Sequence, residues 1–201
     1  MRISSEFAVL LGIALVAAGS AKAGIDEQKK PCSAAQTAAL DSAVSGSKAG
    51  LVKAVESLKS PKLPDEQRIV TWFGAGTPNE IAAIRSVYET ALTFSGITNY
   101  WCPNNSIPEL VWDVGDMAAV TPAAPGAMFF TPDFFALSPT GQDSQQGTIV
   151  HELSHLSGAT LRPEVYQPGP AKALAASNPA DAQKNGDSFQ YYYENLIFGA
   201  P

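Results

Sequence analysis

Histidine is nearly absent from this chain, with two residues among 201. Cysteine is equally scarce: Cys32 and Cys102 stand alone, and no CxxC spacing occurs. Thiolate zinc clusters and disulfide-dense scaffolds are thereby excluded. No glycine-rich phosphate loop and no GxSxG elbow is present, which removes nucleotide binding and serine-hydrolase chemistry of those kinds. Basic residues are outnumbered, 13 Lys+Arg against 19 Asp+Glu, giving a net charge of −6. An acidic chain without a basic cluster is not built to neutralise phosphates, so nucleic acid and anionic membrane surfaces are poor partners. Internal repeats and low-complexity tracts are missing as well.

Long apolar runs are also lacking, apart from residues 7–18. That stretch follows Arg2 and precedes Ala21-Lys22-Ala23, a small-x-small pattern. Together they read as a signal peptide over 1–23, the alternative being an uncleaved anchor. Cleavage after Ala23 leaves one domain over 24–201, secreted or periplasmic and free of the membrane. Removing Arg2, Lys22 and Glu6 takes its net charge from −6 to −7. In an oxidising compartment Cys32 and Cys102 are expected to form one disulfide, the alternative being two free thiols.

Residues 33–59 carry Leu40, Val44, Leu51, Val55 and Leu58 at helical spacing, which predicts one or two helices with weak points at Gly46 and Gly50. Residues 60–65 read as a connection and 69–73 as a short apolar piece. Thr77, Pro78 and Glu80 form a capping-box start for a helix that Gly96 would stop. Short strands are predicted at 110–114 and 128–130, and a loop at 134–143. Helices are predicted at 144–156, 172–176 and 186–196, with a break at 168–170. Tyr191, Tyr192 and Tyr193 read as packing residues, since consecutive helical residues point in different directions.

Both histidines lie in one pentapeptide, His151-Glu152-Leu153-Ser154-His155. On a helix, residues four apart share a face, so both imidazoles can reach one zinc ion. Two scattered histidines would fall at this spacing about 1% of the time, and the intervening Glu makes coincidence rarer still. Glu152 is placed to take a proton from zinc-activated water as it attacks a peptide carbonyl. A catalytic zinc site needs a third protein ligand beside an open position. With no further histidine, that ligand is a carboxylate or, less plausibly, a thiolate.

Residues 139–155, PTGQDSQQGTIVHELSH, resemble the catalytic region of the deuterolysin and peptidyl-Lys metalloendopeptidase family, the aspzincins. The similarity continues through 172–179 and 185–195, and more weakly through 32–36 and 71–74. It implies a zincin-like fold: α+β, mainly helical, with the HExxH helix and a small β-sheet. It also implies zinc held by the two histidines and an Asp in a downstream GTxxD segment. Here that segment has Thr160 but no Asp before Tyr166, and Glu164 is its only carboxylate. Glu164 is therefore expected as third ligand. The alternative leaves Glu164 in solvent and two histidines with water or Asp187. By the same resemblance Tyr166 stabilises the oxyanion. Asp187 and Gln190 line the pocket for a substrate side chain, with Gln190 where lysine-specific members carry a second acid. Asp187 also fits a helix N-cap, and the family's glycine after the Tyr is here Gln167.

These features predict a monomeric, secreted zinc metalloendopeptidase acting on proteins or peptides. A catalytically impaired zinc- or peptide-binding protein on the same scaffold, and a metal-free structural domain, are the competing readings.

Overall fold

The computed structural model describes residues 30–97, 99–103, 117–120 and 126–199. The expected signal peptide and the strand expected at 110–114 lie outside them.

Helix α1 spans Ala34–Lys59 without interruption, opened by a Ser33–Gln36 capping box. Its buried residues, Leu40, Ala43, Ser47, Gly50, Leu51, Ala54, Val55 and Leu58, recur every three or four positions. The two glycines expected as weak points are contact points instead. A Cβ at Gly46 would overlap the Gln146 side chain, and one at Gly50 would overlap the Tyr193 ring. Glycine lets the backbone of α1 approach two other helices, and that packing outweighs its propensity cost of about 1 kcal/mol.

Helix α2, Leu63–Phe73, corrects the reading of 60–65 as a connection. Pro64 sits in the first turn, where no backbone donor is needed. Asp65 accepts from the Lys62 N–H, and Gly74, at φ 60°, closes the helix. Helix α3, Pro78–Phe94, begins at the Thr77–Glu80 capping box as its sequence predicts, although Ser95 rather than Gly96 is its C-cap.

Three short strands follow: β1 (Asn99–Trp101), β2 (Ala118–Val120) and β3 (Ala127–Phe130). The central strand β3 pairs parallel with β1 and antiparallel with β2. All four residues of β3 are buried, as suits a central strand covered on both faces. The region read as a loop after β3 opens with a 3-10 helix, Pro132–Ala136, whose Phe134 is buried. Helix α4, Gln145–His155, is capped by Ser144 and carries the HExxH residues. Helix α5, Pro168–Ser177, starts four residues earlier than predicted, because its two prolines occupy the first turn instead of breaking the chain. A short α6, Pro179–Ala182, leads into α7, Gly186–Phe198.

The mainly helical α+β architecture with a small mixed sheet is thus as expected. Helix α4 is enclosed by α1, α3 and α7 and by β2. An aromatic cluster fixes α7 in place. Phe189 packs on Phe73 and Tyr88, with centroids 4.9 and 5.3 Å apart, and the Tyr88 hydroxyl donates to the Phe189 carbonyl at 2.7 Å. Tyr191 stacks on Trp72 at 5.3 Å. No helix among the described residues is long and apolar enough to cross a membrane.

Cys32 and Cys102 form a disulfide that ties the segment before α1 to the end of β1. It closes a loop 70 residues long in sequence. Replacing both cysteines by Ser should lower unfolding free energy by about 4 kcal/mol, from the entropy regained by the open unfolded chain. Urea denaturation with and without the substitutions measures it.

Candidate metal centre

Burial of α4 on nearly every side dictates what its polar residues must do. His151 and Glu152 are each 7% exposed, and a buried polar group needs partners. The Nδ1 of His151 lies 2.8 Å from Asp187 Oδ1, and the Nδ1 of His155 lies 2.9 Å from the carbonyl of Ala159. Both partners only accept, so each Nδ1 carries the hydrogen and each Nε2 presents a lone pair.

Those two Nε2 atoms face each other at 3.1 Å. Glu164 Oε2 completes the triangle, 3.4 Å from each. Three lone pairs converging in a buried space call for a cation. A tetrahedral zinc with bonds of about 2.0–2.1 Å has ligand–ligand edges of about 3.3–3.4 Å. Two edges match and the His151–His155 edge is slightly shorter, so the donor set suits such an ion with little rearrangement. Among the described residues, His151, His155 and Glu164 are the group able to hold a metal.

The Glu164 segment is set by α7. Gly186 N–H donates to Glu164 Oε1 at 3.0 Å, turning Oε2 toward the histidines. A side chain at 186 would crowd this point, since a Cβ would lie 2.7 Å from Glu164 Oε1 and 2.8 Å from His151 Cε1. Asn185 grips the backbone of Val165 twice, accepting from its N–H and donating to its carbonyl, each at 2.9 Å. Arg162 Nη1 stands 3.6 Å from Glu164 Oε2.

The charges are mutually dependent. Burial opposes a charged His151, but its hydrogen bonds to Asp187 and Glu164 and the nearby Glu152 outweigh it and hold the imidazole well above its usual range. His155 is raised likewise against burial, chiefly by Glu164. Burial would raise Glu164, yet its hydrogen bonds to both histidines push it far below the ordinary carboxylate range. Protons therefore compete with a metal here, and metal affinity falls as pH drops.

Beside the triad opens a cavity of about 670 Å³, lined by Met117, Glu152, Tyr166, Asp187, Gln190 and Tyr191 among others. Glu152 Oε2 accepts from the Val120 N–H of β2 at 3.2 Å. Tyr166 is 44% exposed, lies parallel to the His151 ring at 6.2 Å and donates to Glu164 Oε2 at 3.1 Å. Asp187 lines the cavity, but both of its oxygens are already bonded, Oδ1 to His151 and Oδ2 to the Gln167 N–H at 2.6 Å. It makes no side-chain cap, although it lies in the first turn of α7. Gln190 Nε2 reaches Glu194 at 3.4 Å. The structure thus brings His151, Glu152, His155, Glu164, Tyr166, Asp187 and Gln190 to one place. Sequence reasoning missed the bond from Asp187 to His151 and the parts of Asn185, Gly186 and Arg162. None of these has a local spacing signal, because each acts across a fold contact.

The profile of a family described as "Lysine-specific metallo-endopeptidase" matches residues 60–194. A peptidyl-Lys metalloendopeptidase of Pleurotus ostreatus is 33% identical over 167 residues, covering 82% of this chain and 94% of that protein. One from Armillaria mellea is 33% identical over 129 residues, 64% of this chain but 35% of that protein. An extracellular protease of Aeromonas hydrophila is 30% identical across 79% of this chain and 43% of its own length. Several of these relatives are therefore much longer than the part matched. Among solved structures, a zinc peptidase from Grifola frondosa superposes with a TM-score of 0.71 at 28% identity, covering 82% of this chain and 97% of that one.

Gln167 occupies φ 73°, ψ 150°, a region that suits glycine. The turn expected of a glycine is kept despite the side chain, because its N–H must point at Asp187. Gln167→Gly should raise stability by about 1 kcal/mol, the relieved strain less the entropy a glycine adds to the unfolded chain. A lower urea midpoint would show the turn unstrained.

Proposed function

This chain belongs to the aspzincin family of metalloendopeptidases, and on that premise we propose that it is a secreted enzyme hydrolysing internal peptide bonds with water activated at a zinc ion. The observation that carries this reading is the triangle of His151 Nε2, His155 Nε2 and Glu164 Oε2, with edges of 3.1, 3.4 and 3.4 Å.

His151, His155 and Glu164 would hold the zinc, Glu164 standing where the family has Asp. Zinc supplies Lewis acidity, which brings the pKa of water toward neutrality and polarises a carbonyl. Glu152 acts as general base, taking a proton from the attacking water and returning it to the leaving amine. Its place on the cavity wall, tied to β2, supports that role. Tyr166 donates to the carbonyl oxygen as negative charge develops there. Its half-exposed phenol, one bond from Glu164, supports that assignment.

Asp187 does two things in this reading. It fixes the His151 ring and lines the floor of the substrate cavity with Gln190. One carboxylate already bonded twice attracts an ammonium less than two free ones. A lysine side chain is therefore accepted there without being required. The disulfide and the extracellular relative from Aeromonas hydrophila support secretion.

Cleavage of an unfolded protein, compared with Glu152→Gln, tests the central claim. The variant should keep its zinc and lose at least about 100-fold in kcat, the usual range for a general base. Equal rates would leave a zinc- or peptide-binding protein as the reading. Separately, Glu164→Ala should weaken zinc affinity by about 100-fold or more, since two imidazoles alone hold zinc poorly. Unchanged affinity in a competition titration would mean that Glu164 is not the third ligand.

A further inference from the structure

One buried carboxylate plays no part in the chemistry above. Glu194, on α7, has none of its surface exposed. Its Oε1 accepts from the Ser144 N–H and hydroxyl, both at 2.9 Å, and from Gln190 Nε2 at 3.4 Å. Its Oε2 accepts from the Asp143 N–H at 3.0 Å. Ser144 is the N-cap of α4, where its hydroxyl oxygen accepts from the Gly147 N–H at 3.0 Å. Among the described residues, no Lys, Arg or His forms an ion pair with Glu194. Its charge is met by N–H and O–H donors and by the positive end of α4.

Residue 147 makes this approach possible. A Cβ at Gly147 would overlap Glu194 Oε1. A glycine in the first turn of a buried helix costs about 1 kcal/mol against alanine, so the space it leaves serves the carboxylate. The helix so gripped carries His151, Glu152 and His155. Helix α7 therefore holds α4 twice, through Glu194 at Ser144 and through Asp187 at His151.

We propose that Glu194 is a positioning residue: its ionised carboxylate clamps the turn at Asp143 and Ser144, and so sets the axial rotation and height of the helix that carries His151, Glu152 and His155. The inference rests on the peptidase reading for its catalytic consequence. The backbone and amide groups facing the carboxylate are all donors, so a protonated Glu194 can keep its contacts only if the Ser144 hydroxyl turns its own hydrogen away and accepts.

Burial pushes the Glu194 carboxyl up to about 7, while hydrogen bonds from Ser144 and Asp143 pull it down and the Asp143 charge raises it further. Around it, the loop before α4 contributes Asp143, and the first turn of α4 (residues 145–148) carries no ionisable side chain. Helix α1 meets this region at Gly46 and Gly50, against Gln146 and Tyr193, with Ala43 and Ser47 among its buried residues. Helix α7 adds Gln190 and the phenols of Tyr191 and Tyr193, both raised by burial and neutral near pH 7. Because the folded value lies above the ordinary carboxylate range, this group's contribution to stability is largest below that range. It is lost as pH rises through about 7. Positioning follows the opposite course, since the clamp is the ionised form.

The test uses the full zinc-loaded chain, a peptide substrate and the variants Glu194→Gln and Gly147→Ala. At pH about 8, Glu194→Gln should lower kcat by about tenfold with KM little changed, the scale of a small misplacement of catalytic groups. The ratio of wild-type to variant kcat should fall toward one by about pH 5.5, as the wild-type carboxyl takes up its proton. Zinc affinity should follow the same ratio, while the wild-type urea midpoint should drop between about pH 5 and 7 more than the variant's. A ratio of one throughout, or one independent of pH, overturns the proposal. Should Glu194→Gln fail to fold, Gly147→Ala decides: it should lower kcat with Glu194 present and be harmless alongside Glu194→Ala, and unaltered kcat with Glu194 present overturns the clamp. A wild-type chain without activity would defeat the peptidase reading. The zinc-affinity ratio would still uphold or overturn the positioning role.

Discussion

Three electron pairs aimed into one small buried volume repel each other unless positive charge lies among them. That constraint governs the centre of this protein. The Nε2 atoms of His151 and His155 and the Oε2 of Glu164 are brought within 3.1–3.4 Å, and the surroundings hold them there. The Ala159 carbonyl and Asp187 keep hydrogens on the far nitrogens. Gly186 turns the carboxylate inward, and Asn185 straps its loop.

Two of the three donors were legible in the sequence because helix geometry fixes them: a spacing of four leaves little freedom once the helix is buried. The third came through the family resemblance, which points to a downstream segment where residues 156–165 hold one carboxylate. What supports them was not legible. Asp187 reads in sequence as a cap or a pocket acid, and only the packing of α7 on α4 discloses its bond to His151. Gln167 shows the converse. It stands where the resemblance puts a glycine, which left room for a different turn, yet its backbone holds a glycine-like conformation with its N–H donating to Asp187.

Element prediction followed the same divide. Helices with explicit caps, α3 and α4, were found nearly to the residue. Helix α2 was missed because Pro64 reads as a breaker until its place in the first turn is known. Strands β1 and β2, three residues each, are too short for alternation to register, and pairing with β3 defines them. The glycines of α1 were misread as weak points because propensity says nothing of what lies opposite.

Gly186, Asp187, Gln190 and Glu194 lie along one face of α7, which thereby supplies most of what orients α4 and the Glu164 loop. Order along the chain then becomes order in time. During synthesis α4 emerges first, its histidines and glutamate already present but unoriented, and Glu164 follows without the N–H that aims it. The metal centre comes into existence only when α7 has been made and has docked on its aromatic bed of Phe73 and Tyr88. A nascent chain stopped between Glu164 and Asn185 has the ligands in sequence and lacks the groups that aim them.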